Sequence, residues 1–149
     1  MELIIFVGLP GSGKTSFYEE HYKATHRHVS KDLLPKSSNK KKRQDLLLKT
    51  YLEQNESIVV DNTNPTVEER ARIIQLGKLF GARIVGYFFQ ASVGECIARN
   101  ERRQGKKRVP KVAIYTAAKK LKPPTYEEGF DQLYIVQAGE NQTFRVVPQ

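Results

Sequence analysis

The sequence has one cysteine, Cys96, among 149 residues. That excludes an intramolecular disulfide and suits a reducing compartment. No window approaches the ~18 consecutive apolar residues of a membrane span, so no membrane partner is expected. The N-terminus enters an apolar run at once, without the basic segment, apolar stretch and cleavage site of a secretory leader. The three histidines, His21, His26 and His28, and Cys96 show no metal-ligand spacing, and surface or core roles are the default for them. There is no internal repeat, no low-complexity linker and no shift in composition that would mark a boundary. These absences leave one domain over residues 1–149, expected in the cytoplasm or, in a eukaryote, in the nucleus. It is long enough to bury a substantial core.

Acidic residues are few beside basic ones: 16 against 25, a net charge of +9. A field of that sign attracts polyanions and speeds their arrival. The cations gather in two runs, Lys36–Arg43 (KSSNKKKR) and Arg99–Arg108 (RNERRQGKKR). The first falls at the expected start of a helix, where positive charge opposes the helix dipole. A bound polyanion would offset that conflict.

Strand and helix signals alternate along the chain. Apolar or β-branched runs at Leu3–Val7, His28–Ser30, Ile58–Val60, Arg83–Phe89, Leu133–Val136 and Thr143–Val147 read as strands. Helical patterns occupy Lys14–Tyr22, Lys41–Gln54, a segment opened by Asn64-Pro65 and closed by Gly81, Val93–Arg103, and Pro110–Leu121. Asn64 fits an N-cap with Pro65 in the first turn, and Thr66 with Glu69 offers a capping box one register later. Short all-apolar strands separated by helices predict a three-layer α/β domain with a mostly parallel sheet. Ligands in such folds lie at the carboxyl ends of the strands.

Directly after the first strand comes GLPGSGKT, Gly8-Leu9-Pro10-Gly11-Ser12-Gly13-Lys14-Thr15. The spacing G-x-x-x-x-G-K-[ST] between a strand and a helix is a phosphate-binding loop. Glycines clear Cβ atoms from backbone N–H groups that surround a phosphate, and the following helix adds its positive end. This assigns Gly8 through Thr15, with Ser16 beside them, to a nucleotide, ATP or GTP. Lys14 reaches the β- and γ-phosphates, and the Thr15 hydroxyl is the expected Mg²⁺ ligand. Ile58–Asp61 (IVVD) supplies an apolar strand ending in a carboxylate, the natural Walker B candidate, with a helix cap as the alternative role for Asp61. Asn62 and Thr63 extend the same polar edge.

Four stretches together resemble the polynucleotide 5′-hydroxyl kinase family, most closely the kinase domain of the polynucleotide kinase–phosphatases. They are GLPGSGKTSF (8–17), VSKD (29–32), VVDNTNPTVEERAR (59–72) and ARNERRQGKKRVP (98–110), and the tail PPTYEEGFDQLYIV (123–136) is similar too. The resemblance implies a P-loop kinase fold with a small basic lid at about 99–110. It implies transfer of the ATP γ-phosphate to the 5′-hydroxyl of DNA or RNA, with Mg²⁺. It assigns Asp32 as the base that accepts the hydroxyl proton, and Arg99 and Arg103 as lid arginines on the phosphoryl group. It places Lys31, Asp61 and Thr63 near the acceptor, Asp61 acting either on the acceptor end or on a Mg²⁺-bound water. Phage-type members carry an acceptor-gripping arginine where this chain has Pro35, and Lys36 or the Lys40–Arg43 run is the candidate substitute. No D-x-D-x-T segment, the hallmark of the phosphatase partner domain, occurs, so the resemblance implies phosphorylation of 5′ ends without removal of 3′ phosphates, with a separate phosphatase or ligase as a candidate partner. The same loop also serves kinases of small molecules and nucleotide sugars, the alternative function, and nucleotide-gated binding modules that transfer nothing.

Overall fold

The computed structural model describes residues 1–36, 39–139 and 143–149. Six strands form one sheet: β1 (Glu2–Val7), β2 (Arg27–Val29), β3 (Ile58–Val60), β4 (Arg83–Phe89), β5 (Gln132–Ala138) and β6 (Phe144–Pro148). Their order is β2-β3-β1-β4-β5-β6, parallel throughout except for the β5–β6 pair. The helices are α1 (Lys14–His21), α2 (Lys40–Glu53), α3 (Val67–Leu79), α4 (Val93–Glu101) and α5 (Lys111–Lys120). The three-layer α/β reading therefore holds, and no helix is long and apolar enough to cross a membrane.

The alternation of β1 explains the layers. Leu3, Ile5 and Val7 face one side and pack with Leu48 and Leu52 of α2 and Ile73 and Ile74 of α3. Ile4 and Phe6 face the other side, among Phe17 and Tyr18 of α1, Tyr87 and Phe89. All five residues Leu3–Val7 are fully buried. A strand in the middle of a parallel sheet is covered on both faces and so has no polar side. α4 and α5 meet over a smaller cluster of Leu9, Cys96 and Ile114.

Gly86 behaves as its place in a buried strand suggests: a Cβ there would lie 2.6 Å from Leu133 Cδ2. Gly81, at φ 76°, ends the turn after α3. The expectation for Asn64 is corrected. The cap of α3 is Thr66, whose Oγ1 accepts from Glu69 N at 3.2 Å. Asn64 instead has φ 46° and sends its Nδ2 to Phe6 O at 2.7 Å. Tying the segment after β3 back to β1 takes precedence over capping. The expected turn at AGENQ (138–142) lies partly outside the described residues.

Candidate active site

β1, β2 and β3 are adjacent and parallel, so the segments after them emerge at one edge. That adjacency brings the P-loop, Asp32 and Asp61 together from three distant parts of the sequence.

The loop passes through left-handed backbone at Gly11 (φ 83°) and Gly13 (φ 98°), the latter capping α1. Gly8 N donates to Thr63 O at 3.1 Å, fastening the loop to the segment after β3. Leu9 is buried against α4 and α5, and Pro10 is half-buried. Ser12 Oγ is buried without a hydrogen-bond partner in the described residues. An orphaned hydroxyl in a glycine loop at a helix N-terminus fits a phosphate, which would supply its missing partner.

Lys14 is 8% exposed, and its Nζ donates to Gly8 O at 2.9 Å and Leu9 O at 2.8 Å. Burial lowers its pKa to about 8. The charge of Asp61 opposes that shift, Arg103 adds to it, and Asp32 opposes it more weakly. Three of the charged residues named from the sequence, Asp61, Arg103 and Asp32, therefore act on one ammonium group.

Asp61 is 4% exposed, and its Oδ2 accepts two hydrogen bonds. One comes from Thr15 Oγ1 at 2.9 Å, the other joins His28 Nε2 at 2.8 Å. His28 is itself held: the Tyr18 ring stacks on it at 4.0 Å, 14° from parallel. The histidine was absent from the site expected on sequence. Its signal was positional only, three residues before Lys31 on a strand whose end was already assigned to the site. One hydroxyl and one carboxylate oxygen do not close a protein cage, but they match Mg²⁺ held mainly by nucleotide oxygens and water.

Asp32 sits in a 3₁₀ turn, Lys31–Leu33, immediately after β2, and its carboxylate is exposed. Ser30 caps the turn, with Oγ accepting from Asp32 N at 3.3 Å. Asn62 shapes this edge: its Oδ1 accepts from Lys31 N at 2.9 Å, and its Nδ2 donates to the buried Gln44 Oε1 at 2.7 Å. The β2 end, the β3 end and α2 are thereby joined. Thr63 is half-buried and Lys36 is exposed at the approach to α2, while Thr15 and Ser16 are exposed on the first turn of α1.

On the opposite side, Arg99 of α4 reaches the loop. A Cβ placed on Gly13 would lie 2.5 Å from Arg99 Nη1 and 2.8 Å from Phe144 Cε1. Arg103 follows α4, and its Nη1 donates to Lys107 O at 3.2 Å. Asn100, 1% exposed, ties the two ends of the segment 100–109 together: Nδ2 donates to Val109 O at 2.7 Å, and Val109 N donates to Oδ1 at 3.0 Å. Arg102 is exposed, and Arg108 pairs with Glu101 at 2.7 Å. The Lys106 side chain lies outside the described residues.

A family described as AAA domain matches residues 3–124. The chain belongs to that family. This AAA-domain chain is 31% identical over 135 residues to the bifunctional polynucleotide phosphatase/kinase of Schizosaccharomyces pombe. The match covers 87% of the chain and 32% of that protein, so the chain spans about a third of its relative. A fungal RNA kinase structure superposes with a TM-score of 0.67 at 14% identity, over 95% of this chain and 78% of that one. A gluconokinase from Sinorhizobium meliloti gives 0.66 at 17%, over 95% and 85%. These likenesses show a P-loop kinase fold shared by proteins with different acceptors. Nucleotide binding goes with the P-loop domain.

Proposed function

We propose that this chain transfers the γ-phosphoryl group of ATP to the 5′-hydroxyl of a polynucleotide. The observation that carries the proposal is the convergence of the glycine loop, Asp61 and the Asp32 turn at the ends of three adjacent parallel strands, where the Thr15 hydroxyl donates to Asp61 at 2.9 Å. A phosphoryl donor, an acceptor base and a lid cation all have candidates there. The homology to a polynucleotide phosphatase/kinase supports this acceptor over a small alcohol.

On this reading the amides of Gly8–Thr15 and the Ser12 hydroxyl hold the phosphates, with Ser16 beside them. Lys14 exchanges the carbonyls of Gly8 and Leu9 for β- and γ-phosphate oxygens. The Thr15 hydroxyl, beside Asp61, would hold Mg²⁺, with Asp61 kept oriented by His28. The chemistry such an ion would supply is neutralisation of the charge that develops on the phosphate oxygens. The 5′-oxygen forms its bond to the γ-phosphorus as the bond to the β,γ-bridging oxygen breaks. The hydroxyl proton passes to the Asp32 carboxylate, and ADP carries away the electron pair. Arg99 and Arg103 meet the equatorial oxygens, where arginines of this kind contribute ~10³–10⁵ in rate. Lys31, Thr63 and Lys36 line the acceptor approach. The exposure of Asp32 suits a base that has to meet a macromolecular end.

The test is an acceptor screen with γ-labelled ATP and Mg²⁺. DNA and RNA oligonucleotides with 5′-hydroxyl ends are compared with nucleosides, nucleotide sugars and hexoses. Label on the oligonucleotide ends, lost in Asp32→Asn with ATP binding retained, is the expected result. Label confined to small molecules would overturn the proposal in favour of a small-molecule kinase.

A further inference from the structure

Residues 99–122 contain ten lysines and arginines and a single acid, Glu101. With 25 basic and 16 acidic residues in the whole chain, the remainder balances at fifteen of each sign. The entire net charge of +9 therefore resides in the lid and α5. Four of these ten cations, Lys111, Lys119, Lys120 and Lys122, lie on α5 and its ends rather than in the lid.

α5 is seated against the site. Ile114 is fully buried with Leu9 of the P-loop and Cys96. At its start Lys111 Nζ lies 3.6 Å from Glu101 Oε1. Just past its end, Lys122 N donates to Pro65 O at 2.8 Å, in the segment that follows Asp61. The outer face of α5 thus runs from the lid to the rim of the acceptor edge. Val112, Tyr115, Thr116 and Lys119 recur there at helical spacing, all exposed, with Val112 at 66% and Tyr115 at 50%. An aromatic ring left half in water among lysines has the composition of a base-stacking platform with phosphate contacts. The other basic run, Lys40–Arg43, opens α2 with no exposed aromatic beside it among the described residues.

We infer that the α5 face is the track for the acceptor strand, a single-stranded polynucleotide that stacks a base on Tyr115 and sets its phosphates against Lys111, Lys119 and Lys122. The inference rests on the polynucleotide reading above. It adds a preference for unpaired over paired ends, because duplex bases are already stacked on one another and offer no free face to Tyr115.

The experiment is fluorescence anisotropy with a 5′-hydroxyl 12-mer labelled at its 3′ end, without nucleotide, at several salt concentrations. Tyr115→Ala should weaken single-strand binding by about tenfold or more, and Tyr115→Phe should bind as wild type, since stacking needs the ring alone. Lys119→Glu with Lys122→Glu should flatten the log–log salt slope by about 1.4, for two lost phosphate contacts. The Michaelis constant for the oligonucleotide should rise in step with the dissociation constant. A blunt duplex should bind wild type more weakly than the single strand. If wild type phosphorylates oligonucleotides but Tyr115→Ala binds them normally, or a duplex binds equally well, the track is wrong while the kinase assignment stands. If wild type neither binds nor phosphorylates any oligonucleotide, the assignment itself falls.

Discussion

His28 Nε2 lies 2.8 Å from Asp61 Oδ2, the same oxygen that accepts the Thr15 hydroxyl. Two neighbours, one from β2 and one from α1, hold one oxygen and so fix the carboxylate. On the proposed reading, in which the Thr15 hydroxyl would serve Mg²⁺, only His28 would remain to do so. His28→Ala should therefore lower turnover by about 10- to 100-fold, as expected for a lost hydrogen bond to a charged group. His28→Gln keeps an N–H donor and should restore most of the rate. Equal losses in both variants would mean that the ring matters for its packing on Tyr18, not for its hydrogen bond.

At Gly13 the P-loop is approached by Arg99 of α4 and Phe144 of β6. Ala at this position would be strained by φ 98°. It would also press on Arg99 Nη1 at 2.5 Å and Phe144 Cε1 at 2.8 Å. Gly13→Ala should cost about 1–3 kcal/mol from the backbone alone. It should also weaken nucleotide affinity by displacing Arg99. Chemical denaturation and a nucleotide titration check the two effects separately.

Much of this site was legible because its determinants are local. The P-loop, IVVD and VSKD each combine a short apolar strand with the residues directly behind it. Alternation of strands and helices then suffices to place all three at one edge. His28, Asn64 and Arg70 were not legible, because their roles depend on partners that only the fold supplies. His28 becomes part of the site through the pairing of β2 with β3. Asn64 reads locally as a cap but is drawn to Phe6 O, 58 residues away. Arg70, in VEERARII, looks like a solvated cation on an amphipathic helix and is fully buried.

The depressed pKa of Lys14 gives two pH dependences of opposite sign. In the unfolded chain this lysine titrates near 10.5, and in the folded chain near 8. Between those values the unfolded state binds more protons, so stability rises with pH through this window. The contribution is on the order of 3 kcal/mol at full extent. Cys96, whose pKa is raised chiefly by burial, acts against this from about pH 9 upward, and Tyr22 and Tyr87, raised for the same reason, near and above pH 10. Nucleotide phosphates favour the charged lysine, so above pH 8 binding takes up a proton and affinity falls by up to about tenfold per pH unit. Lys14→Met should remove both trends, measured by denaturation and by nucleotide titration from pH 7 to 9.5.

The reciprocal bonds of Asn100 with Val109 define how firmly the lid segment is held. Asn100→Ala removes both and leaves the N–H and C=O of Val109 without those partners, a loss of about 2 kcal/mol. Amide exchange over residues 101–108 should accelerate, and turnover should fall because Arg103 lies within the closed segment. Asn100→Asp should not rescue. It keeps the acceptor for Val109 N but turns a carboxylate oxygen toward Val109 O, replacing attraction with repulsion.

Arg70 ties the segment after β3 to the turn at Tyr126–Glu128. Its guanidinium is fully buried and meets Glu128 through Nε at 2.8 Å and Nη2 at 3.1 Å, while Nη1 donates to Asn64 O at 2.9 Å. Glu128 Oε2 also accepts from Thr125 N at 2.9 Å. Removing one partner leaves a buried charge uncompensated, so Arg70→Met should cost about 3–5 kcal/mol. Replacing both, Arg70→Met with Glu128→Met, should recover most of that stability, because buried ion pairs are often matched by apolar residues. Activity should not recover with it. The double variant still lacks the donor to Asn64 O, and Asn64 follows Thr63, whose carbonyl receives Gly8 N of the P-loop. Urea denaturation and turnover would therefore separate in the double variant. If both returned to wild-type values, Arg70 would be a replaceable core residue with no part in holding the site.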